Sequence, residues 1–172
     1  MKTPIKRIGM ALAAAMPVCL TTSALAADAH INVSQIIPKA EAESILGEKV
    51  SEPRPRNAQG KDGYYSKCNY YTVSRRKSLV IRVYQPGDGA VGPQKELELV
   101  AACSGPTKPV EGVGDKAEMF SGTSDNAASS RVFMLYIAKG SAFVTIGLGG
   151  FDNDSTALEK AKEIANKILA KL

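Results

Sequence analysis

The residues that could support hydrolysis are incomplete in this sequence. Serines and acids are plentiful, but the chain has one histidine, His30. A Ser-His-Asp mechanism needs that base held beside its nucleophile, whereas His30 lies in an N-terminal stretch with no helix or strand pattern. No Gly-x-Ser-x-Gly motif occurs, and no pattern brings two carboxylates into one cleft. We therefore expect no catalytic residues, no cofactor and no enzymatic activity.

One group of acids has the spacing of a calcium-binding loop. Asp152-x-Asp154-x-Thr156, with Glu163 at the twelfth position, matches several ligand positions of such a loop. The sixth position is Ala157, where the turn requires glycine. Capping of a following helix by Asp154 or Thr156 explains the same residues more simply, and we expect no calcium site.

A second metal pattern depends on where a leader peptide would be cut. Cleavage after Ala27 gives a chain that starts Asp28-Ala29-His30. Its amine, two amide nitrogens and the imidazole of His30 would form the square-planar set that Cu(II) and Ni(II) prefer. Cleavage after Ala26 makes the histidine fourth and removes the motif. Asp28 and His30 are the only metal candidates that we retain.

The N-terminus has the pattern of a secretory signal peptide. Three cations precede an apolar run from Ile8 to Leu20, and Ala24 and Ala26 then form a small-x-small cleavage site. The apolar run is shorter than the roughly 20 residues of a membrane span, so cleavage is favoured over an uncleaved anchor. Met16-Pro17-Val18 before Cys19 is a poor lipidation pattern. We expect a periplasmic or secreted protein with no transmembrane segment in its mature chain.

Removal of residues 1–26 changes the charge and the cysteine count. The full chain has 22 basic and 17 acidic residues. Loss of Lys2, Lys6 and Arg7 leaves a nearly balanced chain, which does not favour a nucleic-acid partner. Two cysteines remain, Cys68 and Cys103. In an oxidising compartment such a pair predicts a disulfide, with two free thiols as the alternative.

Tyrosines concentrate in one predicted hairpin, at Tyr64, Tyr65, Tyr70, Tyr71 and Tyr84. Strand alternation places Tyr70 and Tyr71 on opposite faces, so one helix layer cannot bury both. Tyr and Arg are favoured in protein interfaces. An open sheet face would therefore carry a binding site for a protein, made of Tyr71, Arg82, Tyr84 and Asn69. Ordinary tyrosine packing is the alternative.

Cations also cluster near this hairpin. Arg75-Arg76-Lys77 form its turn, and Arg54, Arg56 and Lys67 lie nearby in the sequence. These residues could form a basic patch for an acidic partner or anionic lipid. A solvated turn that prevents edge-to-edge strand pairing is the simpler interpretation.

The hydrophobic pattern predicts an α+β fold. In the expected architecture, one antiparallel sheet has helices on one face, and two α-β-β-β units are followed by a C-terminal helix. We predict a signal peptide at 1–26, an extended lead-in at 27–38 and a single domain at 39–172. Helices are expected at 38–47, 93–104 and 156–172, and strands at 64–74, 79–85, 116–121, 131–138 and 142–148, with a short strand near 49–51.

Three short motifs carry a resemblance to known proteins. Leu46-Gly47, then Cys68-x-Tyr70, then Gly112-Val113-Gly114-Asp115-Lys116-Ala117 resemble small exported bacterial proteins of unknown function. The duplicated architecture is similar to that of the β-lactamase inhibitor protein and of small outer-membrane assembly lipoproteins. The resemblance implies no activity. The absence of a catalytic pattern and the tyrosines on one hairpin instead predict a non-enzymatic binding or inhibitor-type domain, for example an immunity protein, and a structural component of the cell envelope is the alternative.

Overall fold

The computed structural model describes residues 30–123 and 131–172; the predicted signal peptide and Asp28 lie outside them. None of the helices in these ranges is long and apolar enough to cross a membrane. The elements are, in chain order, α1 (Val33–Ile36), α2 (Lys39–Leu46), β1 (Arg56–Gln59), β2 (Gly63–Tyr71), β3 (Ser78–Pro86), α3 (Pro93–Ser104), β4 (Lys108–Pro109), β5 (Lys116–Thr123), β6 (Arg131–Lys139), β7 (Ala142–Gly149) and α4 (Asp154–Leu169).

The strands form one antiparallel sheet in the order β1-β2-β3-β7-β6-β5-β4. Two meanders, β1 to β3 and β5 to β7, meet at the centre of the sheet. There β3 pairs with β7, and Ile81 lies opposite Ile146. The α+β class and the antiparallel sheet predicted from the sequence are confirmed, and the strand order agrees with two related halves.

The main core lies on the sheet face covered by α1, α2 and α4, which we call the inner face. Leu79, Ile81 and Val83 alternate along β3 toward this face and are fully buried. Burying each such side chain is worth about 1.5–3 kcal/mol. On the same face, α4 packs over β6 and β7 with its apolar stripe of Ala157, Ala161, Ile164, Ala165 and Ile168.

The opposite, outer face carries the remaining helix. α3 packs across β5, β6 and β7, and its fully buried Leu97 lies in a cluster with Tyr84, Tyr136 and Phe143. The sequence places all helices on one face, and α3 is the exception. It lies on the outer face because Tyr136 and Phe143 give this half of the sheet apolar surface that needs cover from water.

The segment predicted as an extended lead-in is part of the core. Residues 33–36 form one helical turn, and Val33 and Ile37 are fully buried. The Val33 amide donates to Ser66 Oγ at 2.9 Å, and the Tyr70 hydroxyl donates to the Ile37 carbonyl. These contacts attach the N-terminal segment to the inner face of β2.

The glycines of the recognised motifs are required by backbone geometry. Gly47 ends α2 in the left-handed region, at φ 69°. Gly114 has φ 64°, and a Cβ there would lie 2.4 Å from Ile137 Cγ2. Asp115 accepts a hydrogen bond of 2.7 Å from the Gly140 amide and so holds the β6–β7 turn. At these positions the motif residues serve the fold.

The predicted disulfide between Cys68 and Cys103 is wrong. Cys68 is fully buried in β2 on the inner face, whereas Cys103 is exposed on α3, which packs on the outer face. The sheet lies between the two thiols, and both are free. Burial raises the pKa of the Cys68 thiol.

The start of α4 accounts for the calcium-like spacing. The N-cap is Asn153, whose side chain accepts from the Thr156 amide at 2.8 Å, and not Asp154 or Thr156. Asp154 accepts hydrogen bonds from Ser121 at 2.7 Å and Arg131 at 3.1 Å, which lower its pKa. Among residues 30–123 and 131–172, no three His, Cys, Asp or Glu side chains gather as a metal site.

Candidate functional site

α3 covers only the β5–β7 half of the outer face and the Tyr84 end of β3. No helix or strand among the described residues covers the rest. We call this remaining part, on β1, β2 and β3, the uncovered surface. Strand alternation and register place these outward residues on it: Arg56, Ala58, Lys67, Asn69, Tyr71, Ser78, Val80 and Arg82.

The predicted binding residues share the outer face but differ in exposure. Asn69, Tyr71 and Arg82 belong to the uncovered surface, and Tyr71 is 51% exposed. Tyr84 is only 3% exposed because Leu97 of α3 packs against it. The site predicted from the sequence therefore loses Tyr84, and the neighbouring Tyr70 is buried on the inner face as expected.

Three cations stand side by side across the uncovered surface. Arg56 lies directly opposite Lys67, and Lys67 directly opposite Arg82. All three are exposed. Within the described ranges, none of them forms an ion pair. Like charges in directly opposite positions destabilise a sheet, so this cation row is an unfavourable arrangement in the isolated chain.

An aromatic stack fixes one end of the cation row. The Arg82 guanidinium lies 5.0 Å from the centre of the Tyr65 ring, and Tyr65 stacks on Tyr84 at 4.5 Å. The Tyr65 hydroxyl donates to the Asp62 carboxylate. Burial and then this hydrogen bond raise the pKa of Tyr65 above its ordinary value, so it stays neutral. Arg82 thus rests on a rigid aromatic support that ends under α3.

A groove opens at the edge of the sheet beside Tyr71. Val50 lies opposite Thr72 and Arg56 opposite Lys67, so six steps along the edge segment match five along β2. Prolines at 53 and 55 interrupt the pairing there, and the extra residue makes a bulge. The groove holds about 550 Å³ and is lined by Ser51, Glu52, Arg54, Asn69, Tyr71 and Arg75, which we call the edge groove.

The predicted basic patch divides in two. Arg54 and Arg75 converge on the edge groove, while Lys77 turns away from it and donates to the Leu46 carbonyl at 2.9 Å. Arg75 adopts φ 57°, a left-handed conformation that is uncommon outside glycine. Two separate expectations, the tyrosine face and the basic turn, therefore meet in one place. The sequence pattern does not predict the bulge that brings Arg54 and Asn69 to the same groove, and Pro53 and Pro55 are the signal for it.

His30, the metal candidate within the described residues, is placed against the sheet. Its ring stacks on Tyr64 with centroids 4.1 Å apart. It lies on the far side of β2 from Tyr71, because Tyr64 shares the inner-face alternation of Ser66 and Cys68. His30 therefore does not belong to the uncovered surface.

The comparisons with known proteins add no assignment. No family model matches the chain, and no curated protein matches it significantly. The geometry described above is therefore the basis for any functional inference. It consists of a cationic, partly aromatic sheet surface beside a groove that contains two arginines.

Proposed function

We propose that this protein is a non-enzymatic binding domain, exported to the periplasm or beyond, that holds an acidic protein partner on its uncovered surface. The cation row carries this proposal. Arg56, Lys67 and Arg82 repel one another in the free chain, and a partner with carboxylates opposite them would remove that cost. An inhibitor or immunity protein is the concrete form that we favour.

The surface also has the composition of an interface. Tyr71 offers a half-exposed ring, and Arg82 is already oriented by Tyr65. Tyr and Arg residues held in place before binding lose little side-chain entropy when a partner docks. A partner recognised in this way would associate faster at low ionic strength, because exposed charges steer the encounter and salt screens them.

Charge reversal tests the proposal. The double variant Lys67→Glu/Arg82→Glu and the control Arg76→Glu/Lys171→Glu have the same net charge, and all four positions are exposed. Tagged mature protein should capture an acidic protein from the envelope fraction in stoichiometric amount. The amount of partner captured by the surface variant should fall at least tenfold, whereas the control should capture as much as the unaltered protein.

Three results would contradict the proposal. Equal capture by both variants would exclude the uncovered surface. Co-fractionation with the outer membrane without a partner would favour a structural envelope component. Turnover in a hydrolase substrate panel, abolished by one carboxylate substitution, would show an enzyme.

A further inference from the structure

The turn between β1 and β2 is hydrogen-bonded to both rings of the aromatic stack that supports Arg82. The Asp62 carboxylate accepts a hydrogen bond from the Tyr65 hydroxyl, and the Asp62 carbonyl accepts one of 2.7 Å from the Tyr84 hydroxyl. The Gly87 amide donates to the same carbonyl at 2.9 Å. One residue of the turn therefore fixes the hydroxyl ends of two rings that belong to neighbouring strands.

The other side of the stack is closed by α3. Tyr84 is buried in one cluster with Leu97, and it stacks on Tyr65 with the ring planes 14° apart. Tyr65 is only partly buried and packs against this cluster from its edge. Packing alone therefore holds the ring of Tyr84, whereas the position of the Tyr65 ring also depends on its hydroxyl bond to Asp62.

The Arg82 guanidinium depends on the Tyr65 ring for a fixed position. Among the described residues Arg82 forms no ion pair, with Asp62 or with any other acid. It lies directly opposite Lys67, and repulsion from that ammonium favours rotamers that turn the guanidinium away from the cation row. The Tyr65 ring, whose centre is 5.0 Å from Arg82 Cζ, opposes this turn by cation–π attraction.

We infer that Asp62 is a positioning residue of the uncovered surface: through the Tyr65 hydroxyl it keeps the Arg82 guanidinium in the cation row, where a partner carboxylate meets it. A phenol that donates to a carboxylate also has a more electron-rich ring, which strengthens its attraction for a cation. This inference rests on the proposed function, because it names a residue that controls binding at that surface through Tyr65 and Arg82.

Positioning by Asp62 and the charge of Asp62 have opposite effects on binding. If Asp62 acted only through its negative charge, its removal would make the surface more cationic and would tighten the binding of an acid. If Asp62 positions Arg82, its removal frees the guanidinium, and binding must then immobilise a mobile side chain. That cost weakens binding about three- to tenfold. The direction of the change therefore separates the two roles.

NMR of the isolated mature protein tests the positioning without a partner. Protons above an aromatic ring are shifted upfield, so the Nε and Cδ protons of Arg82 should resonate upfield of those of the exposed Arg76. Asp62→Ala and Tyr65→Phe should each move the Arg82 signals toward this reference. Asp62→Asn keeps an acceptor oxygen and should restore most of the shift. Asp88→Ala removes the same charge from an exposed loop and should leave the Arg82 signals in place.

Titration with an acetylated hexaglutamate amide at physiological ionic strength tests the consequence for binding. Asp62→Ala and Tyr65→Phe should weaken the affinity for this probe about three- to tenfold. Asp88→Ala should not weaken it. The methyl signals of Ile81 and Ile146, which lie opposite each other in the buried centre of the sheet, should stay unchanged in every variant and so show that the sheet is intact.

Three outcomes would overturn the inference. They are Arg82 signals that stay upfield in both Asp62→Ala and Tyr65→Phe, probe binding that is equal or tighter in these variants, and changes at Ile81 as large as those at Arg82. If Arg82 and the probe affinity respond as expected but no acidic partner is captured, the proposed function fails and the role of Asp62 stands. If capture depends on the cation row while Asp62→Ala leaves Arg82 unaffected, the proposed function stands and this inference fails.

Discussion

Lys67 of β2 lies directly opposite Arg82 of β3 on the surface that α3 leaves uncovered. Side chains in such positions have Cβ atoms about 4.5–5.5 Å apart. A protein selected for stability alone would place opposite charges there. The pairing of two cations is therefore the observation on which the proposed partner surface rests.

Removal of one cation should stabilise the isolated protein. Lys67→Gln relieves repulsion on both sides, from Arg56 and from Arg82, and we expect the free energy of unfolding to rise by about 0.2–1 kcal/mol. Urea denaturation at low salt measures this. The gain should shrink as salt screens the charges. Arg76→Gln should have no such salt-dependent gain, and a loss of stability in Lys67→Gln would show that Lys67 has a stabilising contact.

α3 should depend on one leucine. Leu97 is fully buried against the outer face, whereas Leu99, two residues later, is 47% exposed. Leu97→Ala should cost about 2–5 kcal/mol, because it leaves a cavity beside Tyr84 and Tyr136. Leu99→Ala should change stability by less than about 0.5 kcal/mol. Thermal melts compare the two, and similar losses would mean that α3 does not pack as described.

Prediction from the sequence succeeds where a single pattern decides the structure. The period of α4 and the alternation of Leu79, Ile81 and Val83 each have one solution that buries the apolar side chains. Facing is harder. In the predicted helix at 93–104, Leu97, Val100, Ala101 and Ser104 share one side, although Glu96-Leu97-Glu98-Leu99 also alternates like a strand; neither pattern shows which side of the sheet α3 covers.

The same ambiguity explains the errors at the site. Tyr84 and Tyr71 both alternate outward, and only the position of α3 decides that one is buried and the other exposed. The number of cysteines and the expected compartment favour pairing of Cys68 with Cys103, but they do not show which face of the sheet each residue occupies. The edge groove depends on a one-residue mismatch between the edge segment and β2, and the polar residues 51–59 have no apolar alternation that would specify this register.

The two thiols should differ in reactivity. In protein that lacks residues 1–26, a thiol reagent should modify Cys103 at once and Cys68 only after denaturation, because Cys68 is buried and its pKa is raised. Intact mass counts the adducts as one and then two. Cys103→Ser should give no adduct in the native state. If protein purified without reductant had no reactive thiol, this result would contradict the two free thiols and support a disulfide.

In the turn before β5, alanine should cost less stability at Gly112 than at Gly114. Gly112 and Gly114 have φ 75° and 64°, so alanine at either is expected to cost about 1–2 kcal/mol. At Gly112 nothing lies within 4 Å of a new Cβ, whereas at Gly114 it would meet Ile137 Cγ2 at 2.4 Å and the Ala138 carbonyl oxygen at 2.8 Å. Gly114→Ala should therefore lose a further ~1–3 kcal/mol in urea denaturation. Equal losses would exclude the close contact.

Stability should fall at alkaline pH because of buried tyrosines. Burial, followed by contact with Cys68, raises the pKa of Tyr70, and burial also raises that of Tyr84. A group whose pKa is higher in the folded state stabilises fully below its unfolded pKa, about 10 for tyrosine, and loses this contribution as pH rises further. Urea midpoints should thus be steady near pH 8 and decline above pH ~10.

Tyr70→Phe should be less stable at neutral pH, since the bond to the Ile37 carbonyl is lost, but its urea midpoint should decline less steeply as pH rises. Tyr71→Phe, at an exposed ring, controls for the loss of a tyrosine, and an equal decline in Tyr70→Phe would show that Tyr70 does not titrate as described.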